Sequence, residues 1–182
     1  EKPLIASRAC FKRESLQLLS AIAHANKAHS LHGLTPEDAV RFHDHLTPYI
    51  VHPLWCAATL LQESALSLDL RQKGSIALLW HDTLEDTSLP LPSEASAEIA
   101  WLVKEMSFSS FNEETTELWQ KTNEVKLFKL YDKVSNLLDG HWLKNEKWNH
   151  YVSHTLRLCA EVEQIYGTLN IVKIAKAIAV PK

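Results

Sequence analysis

The amino-acid sequence predicts an all-α fold. In most segments, apolar residues recur at the i, i+3, i+4 and i+7 positions that share one helix face. No segment alternates cleanly between apolar and polar residues, as a half-buried strand would. The 182 residues contain only four glycines and seven prolines, and no repeat, linker or low-complexity tract divides them. We therefore expect one domain over residues 1–182.

Four helices are predicted in the first half of the chain. The first carries an apolar stripe that includes Leu16 and Leu19. The second begins at Thr35-Pro36, because threonine is a favoured N-cap and proline is favoured at the first helical position. Pro53 opens the third helix, and the fourth is apolar almost all round at its centre. These helices cover about residues 13–30, 36–45, 53–67 and 73–87.

Four more helices are predicted after a proline-bearing loop at residues 89–92. Ser93 is a suitable N-cap for the first of them. Gly140 and Gly167 each end a helix, because glycine is the preferred residue just past a helix C-terminus, and Pro181 stops the last one. The four helices cover about residues 93–106, 122–139, 151–167 and 170–180.

Charge and composition exclude two classes of partner. The net charge of −3 leaves no basic stripe for a nucleic-acid backbone, so we expect no nucleic-acid binding. No apolar run approaches the ~18 residues of a membrane-spanning helix, so we expect no membrane insertion. Three cysteines stand far apart without CxxC spacing, which is typical of reduced, buried thiols in a cytoplasmic protein: Cys10, Cys56 and Cys159.

The residues richest in chemistry lie in the run 79–87, which reads LWHDTLEDT. It places His81, Asp82, Glu85 and Asp86 directly after an apolar stretch. Residues i and i+4 share a helix face, so His81 is expected over Glu85 and Asp82 over Asp86. Burying so much potential charge is costly unless the groups are paired or bind a cation. The run therefore favours a metal site over a solvated surface.

Two residues outside this run could complete the site. One is a histidine directly before Pro53, and the other is an aspartate inside the helix predicted over 122–139. Two imidazoles and two carboxylates suit Mn²⁺, Fe²⁺, Co²⁺ or Zn²⁺, and they leave room for a water and a substrate oxygen. The four candidate ligands are His52, His81, Asp82 and Asp132.

Each part of this pattern has an ordinary interpretation when taken alone. A single histidine on a helix is more often a hydrogen-bonded polar group than a ligand, and a His-Asp pair occurs by chance. Glu85 and Asp86 alone would be a helix-end acid cluster. The joint occurrence of four candidate ligands with two further acids favours the metal site.

Three segments resemble a known family. They are Tyr49-Ile50-Val51-His52-Pro53, then residues 77–87 (ALLWHDTLEDT), then residues 129–137 (KLYDKVSNL). In this order they are similar to the HD-domain phosphohydrolases, and more narrowly to the hydrolase domain of the RelA/SpoT family and its small alarmone hydrolases. Those enzymes remove the 3′-pyrophosphate from guanosine tetra- and pentaphosphate. The resemblance covers about residues 14–140 and implies an HD-domain helical bundle, with C-terminal helices over 146–180 beyond it.

The resemblance also implies roles for individual residues. Glu85 and Asp86 would orient and deprotonate the attacking water, Arg41 would pack near the nucleobase, and Asn136 would contact the ribose or the base. For Arg41, a plain surface position on a short helix remains the alternative. One Mn²⁺ ion would be held by the four candidate ligands, His52, His81, Asp82 and Asp132.

The expected function is hydrolysis of guanosine 3′,5′-bis(pyrophosphate) at its 3′-pyrophosphate. The chain departs from the family at Trp80, Tyr131 and Leu138 and at residues 43–45, all in the expected pocket wall. One alternative is therefore a phosphohydrolase for another nucleotide, such as a 5′-nucleotidase or an enzyme that removes a 2′- or 3′-phosphate. A non-catalytic nucleotide sensor is a second alternative, but such a module is expected to have lost a ligand or an acid. The expected partner is a small nucleotide, and a homodimer through the C-terminal helices is left open.

Overall fold

The computed structural model describes the backbone of residues 2–182 and the side chains from residue 15 onward, and its helices confirm the all-α prediction. No named strand occurs in this described part. Short 3-10 helices cover Pro36–Ala39, Leu118–Gln120 and Gly140–Trp142. The α-helices of the described part are α1 Lys2–His32, α2 Val51–Leu61, α3 Leu68–Trp80, α4 Thr83–Asp86, α5 Ala97–Met106, α6 Phe111–Glu117, α7 Asn123–Asp139, α8 Asn145–Tyr166 and α9 Asn170–Ile178.

Helices α2, α3 and α7 pack together at the centre of the fold. Helix α1 lies against α3, α5 contacts α3 and α7, and α8 and α9 cover α7. Leu60 of α2, Leu78 of α3 and Phe128 of α7 are fully buried where the three central helices meet. Gly74 of α3 allows this close approach, because a Cβ atom there would overlap the Phe128 ring and lie 2.7 Å from Leu60 Cδ2.

Replacement of Gly74 by alanine is therefore expected to destabilise the protein. Alanine favours the helix by about 1 kcal/mol, but overpacking this core is expected to cost more, with a net loss of about 1–2 kcal/mol in the free energy of unfolding. Urea denaturation measures the change. In a Phe128→Leu background the cost is expected to shrink. An equal cost in both backgrounds would show that the ring contact is not the cause.

The buried face of α1 differs from the predicted stripe. Leu16 and Leu19 are 57% and 62% exposed, whereas Ala21, Ala25 and Ala28 are fully buried. Small side chains at this spacing let α1 approach α3 closely, while Leu18 and Ile22 are partly buried against the same core. The indole N–H of a tryptophan at the end of α3 also donates to the carbonyl of Ala21, at 3.1 Å. The most deeply buried positions of α1 are therefore its alanines, and only part of the predicted stripe faces the core.

The prediction of a helix over 36–45 is wrong beyond the first turn. Only Pro36–Ala39 is helical, as a 3-10 turn, and the next residue, Val40, is extended. The loop that follows is held by Asp44, whose Oδ1 accepts the backbone N–H groups of Leu46 and Thr47, each at 2.9 Å. Side chains such as aspartate that bond to nearby backbone groups compete with helical hydrogen bonds, which explains the early end of this helix.

The helix predicted over 73–87 is in fact two helices. Helix α3 ends at Trp80, and the separate turn α4 begins at Thr83. The end of α4 is tied to the residues just after α1, because the Leu34 N–H donates to the carbonyl of Asp86 at 2.9 Å. This tertiary bond has no signal in the local sequence. The two residues between α3 and α4 are a predicted metal-ligand pair.

Other boundaries shift without changing the architecture. The helix predicted over 53–67 is α2, which begins earlier and already ends at Leu61, and the helix predicted from residue 73 begins at Leu68. The helix predicted over 151–167 begins earlier, as α8, and the helix predicted from Ser93 begins at Ala97. Cys56 and Cys159 are free and buried, as predicted, and the side chain of Cys10 lies outside those described. Within the described residues, no helix is both long and apolar enough to cross a membrane.

Candidate metal centre and substrate cavity

Three side chains that can ligate a metal meet between α2, α3 and α7. His52 lies on α2, His81 directly follows α3, and Asp132 lies on α7. The two histidine Nε2 atoms are 3.2 Å apart, and Asp132 Oδ1 lies 3.4 Å from the first and 3.6 Å from the second. All three side chains are buried, and their ligand atoms lie within 4.8 Å of one another, so they could hold a divalent cation.

Asp82, the fourth predicted ligand, contacts the same two histidines. Its Oδ2 atom lies 3.1 Å from His81 Nε2 and 3.5 Å from His52 Nε2, and it accepts a 2.6 Å hydrogen bond from the Tyr49 hydroxyl. Burial favours the neutral acid, but the two histidines hold the pKa of Asp82 well below its usual value. The charged carboxylate adds to a donor set that suits Mn²⁺ and similar borderline cations.

Both histidine rings are oriented by a contact at Nδ1. The His81 Nδ1–H donates to the carbonyl of Leu78 at 2.7 Å, and His52 Nδ1 lies 2.8 Å from Ser135 Oγ. Metal-ligating histidines are typically fixed in this way, because the contact at one ring nitrogen aims the other at the ion. Burial disfavours a charged His81 ring, but the neighbouring carboxylates raise its pKa to about 10. A bound cation would take the place of this proton.

Glu85 and Asp86 lie on α4, one turn beyond the ligands. Burial raises the pKa of both carboxyl groups to about 7, and the charge of Asp82 adds to the effect. Glu85 Oε1 accepts the backbone N–H of Phe108 at 2.8 Å, and Asp86 Oδ2 accepts the Tyr49 hydroxyl at 3.2 Å. The two acids are therefore held in place, and each can accept or release a proton near neutral pH.

Arg41 and Asn136, the predicted substrate-binding residues, contact each other beside the ligand cluster. Arg41 Nη2 donates to Asn136 Oδ1 at 2.7 Å, and Asn136 Nδ2 donates to Asp132 Oδ1 at 2.7 Å. Arg41 also donates to both carboxylate oxygens of Asp139, at 2.9 and 3.1 Å. Arg41 is only 8% exposed, so it is not a plain surface residue. Asp139, which the sequence did not indicate, holds the guanidinium in place.

A buried charge network extends the site away from the ligands. Glu114 Oε2 lies 3.0 Å from Lys129 Nζ and 2.7 Å from Lys133 Nζ, and Asp132 Oδ2 lies 2.7 and 3.3 Å from the same two atoms. His154 Nε2 contacts the other oxygen of Glu114 at 3.1 Å. Burial opposes charge on the lysines, but Asp132 and Glu114 raise their pKa values, so both ammonium groups stay charged.

Glu114 is a residue that the sequence-based prediction missed, because it lies on α6, for which no helix was predicted. A signal was present in the sequence. Ser110 is followed by Glu113 at the spacing of a capping box, and Ser110 Oγ accepts the Glu113 N–H at 3.2 Å. That signal could have predicted the helix, but it could not have predicted which lysines Glu114 contacts.

A cavity of about 860 Å³ opens beside the cluster, within the size range of small-molecule sites. Its lining includes acidic side chains, lysines and aromatic rings. The acidic residues are Asp38, Asp82, Glu85, Asp86, Glu114, Asp132 and Asp139; the lysines are Lys129, Lys133 and Lys147; the aromatic residues include Phe42, Phe111, Trp142 and Tyr151.

Addition of Mn²⁺ is expected to raise the melting temperature of the metal-free protein. A ligand at a hundred times its Kd stabilises the folded state by about 2.7 kcal/mol, which corresponds to about 5–10 °C for a chain of this size. Thermal unfolding in EDTA and in excess MnCl₂ measures the shift. An Asp132→Asn variant is expected to lose most of it. An equal shift in that variant would place the bound cation elsewhere.

Comparisons with known proteins bear on the fold. No protein-family model matches the chain, and no curated protein sequence does. A solved structure that does match is described as a metazoan ortholog of SpoT that hydrolyses ppGpp and has a role in starvation responses. The two chains are 18% identical, and the match covers 89% of this chain and 93% of that one, with a TM-score of 0.66. The HD-domain helical bundle predicted from the resemblance is thereby confirmed as the fold.

Proposed function

We propose that this chain is a metal-dependent phosphohydrolase that cleaves guanosine 3′,5′-bis(pyrophosphate) to guanosine 5′-diphosphate and pyrophosphate. The observation that carries the proposal is the cluster of His52, His81 and Asp132 beside two acids with pKa values near 7, next to a cavity that the acids and Asp132 line. The fold shared with a ppGpp hydrolase supports the choice of substrate.

His52, His81, Asp82 and Asp132 would hold the cation, which we propose to be Mn²⁺. Their donor atoms fit a divalent transition metal, since two imidazole nitrogens and carboxylate oxygens face one another in a buried space. When bound, such a cation supplies Lewis-acid charge that polarises a phosphoryl oxygen and favours ionisation of water.

Glu85 and Asp86 would move the two protons that hydrolysis requires. The oxygen of water forms a bond to the phosphorus attached to the 3′-oxygen, and the bond between that phosphorus and the 3′-oxygen breaks. One carboxylate takes a proton from the water, and the other, in its protonated form, gives a proton to the departing 3′-oxygen. Because both pKa values lie near 7, both forms are populated at neutral pH.

Lys129 and Lys133 would bind the phosphate groups. Each ammonium group has three N–H donors and contacts two carboxylates, those of Glu114 and Asp132. A remaining donor on each lysine is available to a phosphate oxygen in the cavity that both residues line. Two fixed cations next to the ligand cluster favour a substrate group with several negative charges, as a diphosphate has.

A panel of nucleotides in the presence of Mn²⁺ tests the substrate assignment. The panel contains guanosine 3′,5′-bis(pyrophosphate), a deoxynucleoside 5′-monophosphate and a dinucleotide with a 2′-phosphate. We expect kcat/KM for the first to exceed the others by at least about tenfold, or about 1.4 kcal/mol. Preference for another member of the panel would support phosphohydrolase activity but would rule out guanosine 3′,5′-bis(pyrophosphate) as the preferred substrate. Binding of nucleotide without turnover of any member would indicate a sensor.

A further inference from the structure

Two half-exposed aromatic rings stand together in the lining of the cavity. Phe42 is 51% exposed and Trp142 is 50% exposed, and both line the cavity that also contains Glu85 and Asp132. Their ring centroids are 5.9 Å apart, with 33° between the planes. The pair therefore presents a continuous apolar surface to the same space into which the catalytic acids face.

Short, well-bonded segments carry both rings. Phe42 follows Arg41, whose N–H donates to the carbonyl of Thr47 at 2.8 Å, and Asp44 accepts two backbone N–H groups of the same loop. Trp142 ends the 3-10 helix Gly140–Trp142, directly after α7. Backbone that is ordered before binding loses little freedom when a ligand covers the rings that it carries.

The neighbouring arginine is not free to serve as the stacking surface. Its guanidinium is bound to Asp139 through two donors and to Asn136 through one, and its Cζ atom lies 5.3 Å from the centre of the Tyr49 ring. Hydrogen bonds in its plane leave the faces of a guanidinium open, but Arg41 is only 8% exposed and lies over the Tyr49 ring, so it offers little surface to a nucleobase. Phe42 and Trp142 beside it are each about half exposed, so they offer a larger surface for stacking.

We propose that Phe42 and Trp142 bind the nucleobase of the substrate by stacking. The identity of the nucleotide rests on the proposed function, but the contact with a flat aromatic base follows from the rings themselves. A third ring between them would need a separation of about 7 Å, more than the 5.9 Å observed, so the base lies against their exposed faces. Stacking tolerates any base, so the pair supplies affinity for a nucleoside rather than selection of guanine.

Kinetic constants of ring-deletion variants test the stacking. Phe42→Ala and Trp142→Ala are each expected to raise KM for guanosine 3′,5′-bis(pyrophosphate) about 5- to 100-fold, with kcat within about twofold. Phe42→Tyr, which keeps a ring, is expected to retain the KM of the unaltered chain. The matched control is Trp101→Ala, which removes a 43% exposed tryptophan on α5. An unchanged KM in both alanine variants would overturn the proposal.

A binding measurement separates this proposal from the proposed function, because it needs no turnover. With Mn²⁺ present, guanosine 5′-diphosphate is expected to quench tryptophan emission, and ribose 5-phosphate, which lacks a base, is not. The quenching is expected to disappear in Trp142→Phe and to persist in Trp101→Phe. Such a result would support base stacking even if the chain hydrolysed a different nucleotide. Full quenching in Trp142→Phe, or equal quenching by ribose 5-phosphate, would refute it.

Discussion

Replacement of Asp82 by alanine is expected to abolish both metal retention and turnover. The substitution removes a carboxylate that lies 3.1 Å from His81 Nε2, and it takes the hydrogen-bond acceptor from the Tyr49 hydroxyl. Loss of a bound Lewis acid removes several kcal/mol of transition-state stabilisation, so kcat is expected to fall by about a thousandfold or more. Metal content after dialysis and the rate of pyrophosphate release measure the two effects.

The matched control is Asp69→Ala, which removes an exposed carboxylate from α3, and it is expected to retain both metal and rate. Circular dichroism of each variant checks that the helices remain. If Asp82→Ala kept full activity, the proposed metal centre would be wrong. If it kept the metal but lost activity, Asp82 would act on the substrate or the water instead of the cation.

Replacement of Glu85 by glutamine is expected to leave the metal bound and to lower kcat by about 10²- to 10⁴-fold, the usual contribution of general acid–base catalysis. An amide oxygen can still accept the Phe108 N–H that Glu85 Oε1 accepts at 2.8 Å, so the local structure is expected to persist. The amide cannot take or give the proton. Kinetic measurements in saturating Mn²⁺, with metal content measured on the same sample, separate an effect on proton transfer from an effect on metal binding.

Glu117→Gln, at an exposed position on α6, provides the control and is expected to have unchanged kinetics. The companion variant Asp86→Asn is expected to lose rate as well, because the reaction moves two protons. Unchanged kinetics in Glu85→Gln, with a large loss in Asp86→Asn, would assign proton transfer to Asp86 alone.

The sequence predicted the all-α fold and the run 79–87 because both depend on short-range patterns, whereas His52 and Asp132 were added from separate segments by their ligand chemistry and the family resemblance. Helical periodicity is visible within a single segment, and the His81-Asp82 pair with Glu85 and Asp86 lies within six residues. The structure brings the ligand atoms of His52, His81 and Asp132 within 4.8 Å of one another.

The remaining parts of the site could not be predicted, because they depend on contacts between distant residues. Asp139 lies 98 residues from Arg41, and no local pattern signals that they pair. Glu114 contacts lysines on another helix, and Asp86 of α4 accepts a hydrogen bond from Leu34, just after α1. The burial of the alanines of α1 also depends on how closely α3 approaches. The hydrophobic pattern of the sequence does not give that distance.

The most direct test of the proposed chemistry is product release from guanosine 3′,5′-bis(pyrophosphate), measured after EDTA treatment and again after Mn²⁺ is restored. The metal-free protein is expected to be inactive. The restored protein is expected to release pyrophosphate and guanosine 5′-diphosphate in equal amounts. Release of orthophosphate instead, equal rates in EDTA and Mn²⁺, or no turnover under either condition would contradict a metal-dependent 3′-pyrophosphohydrolase.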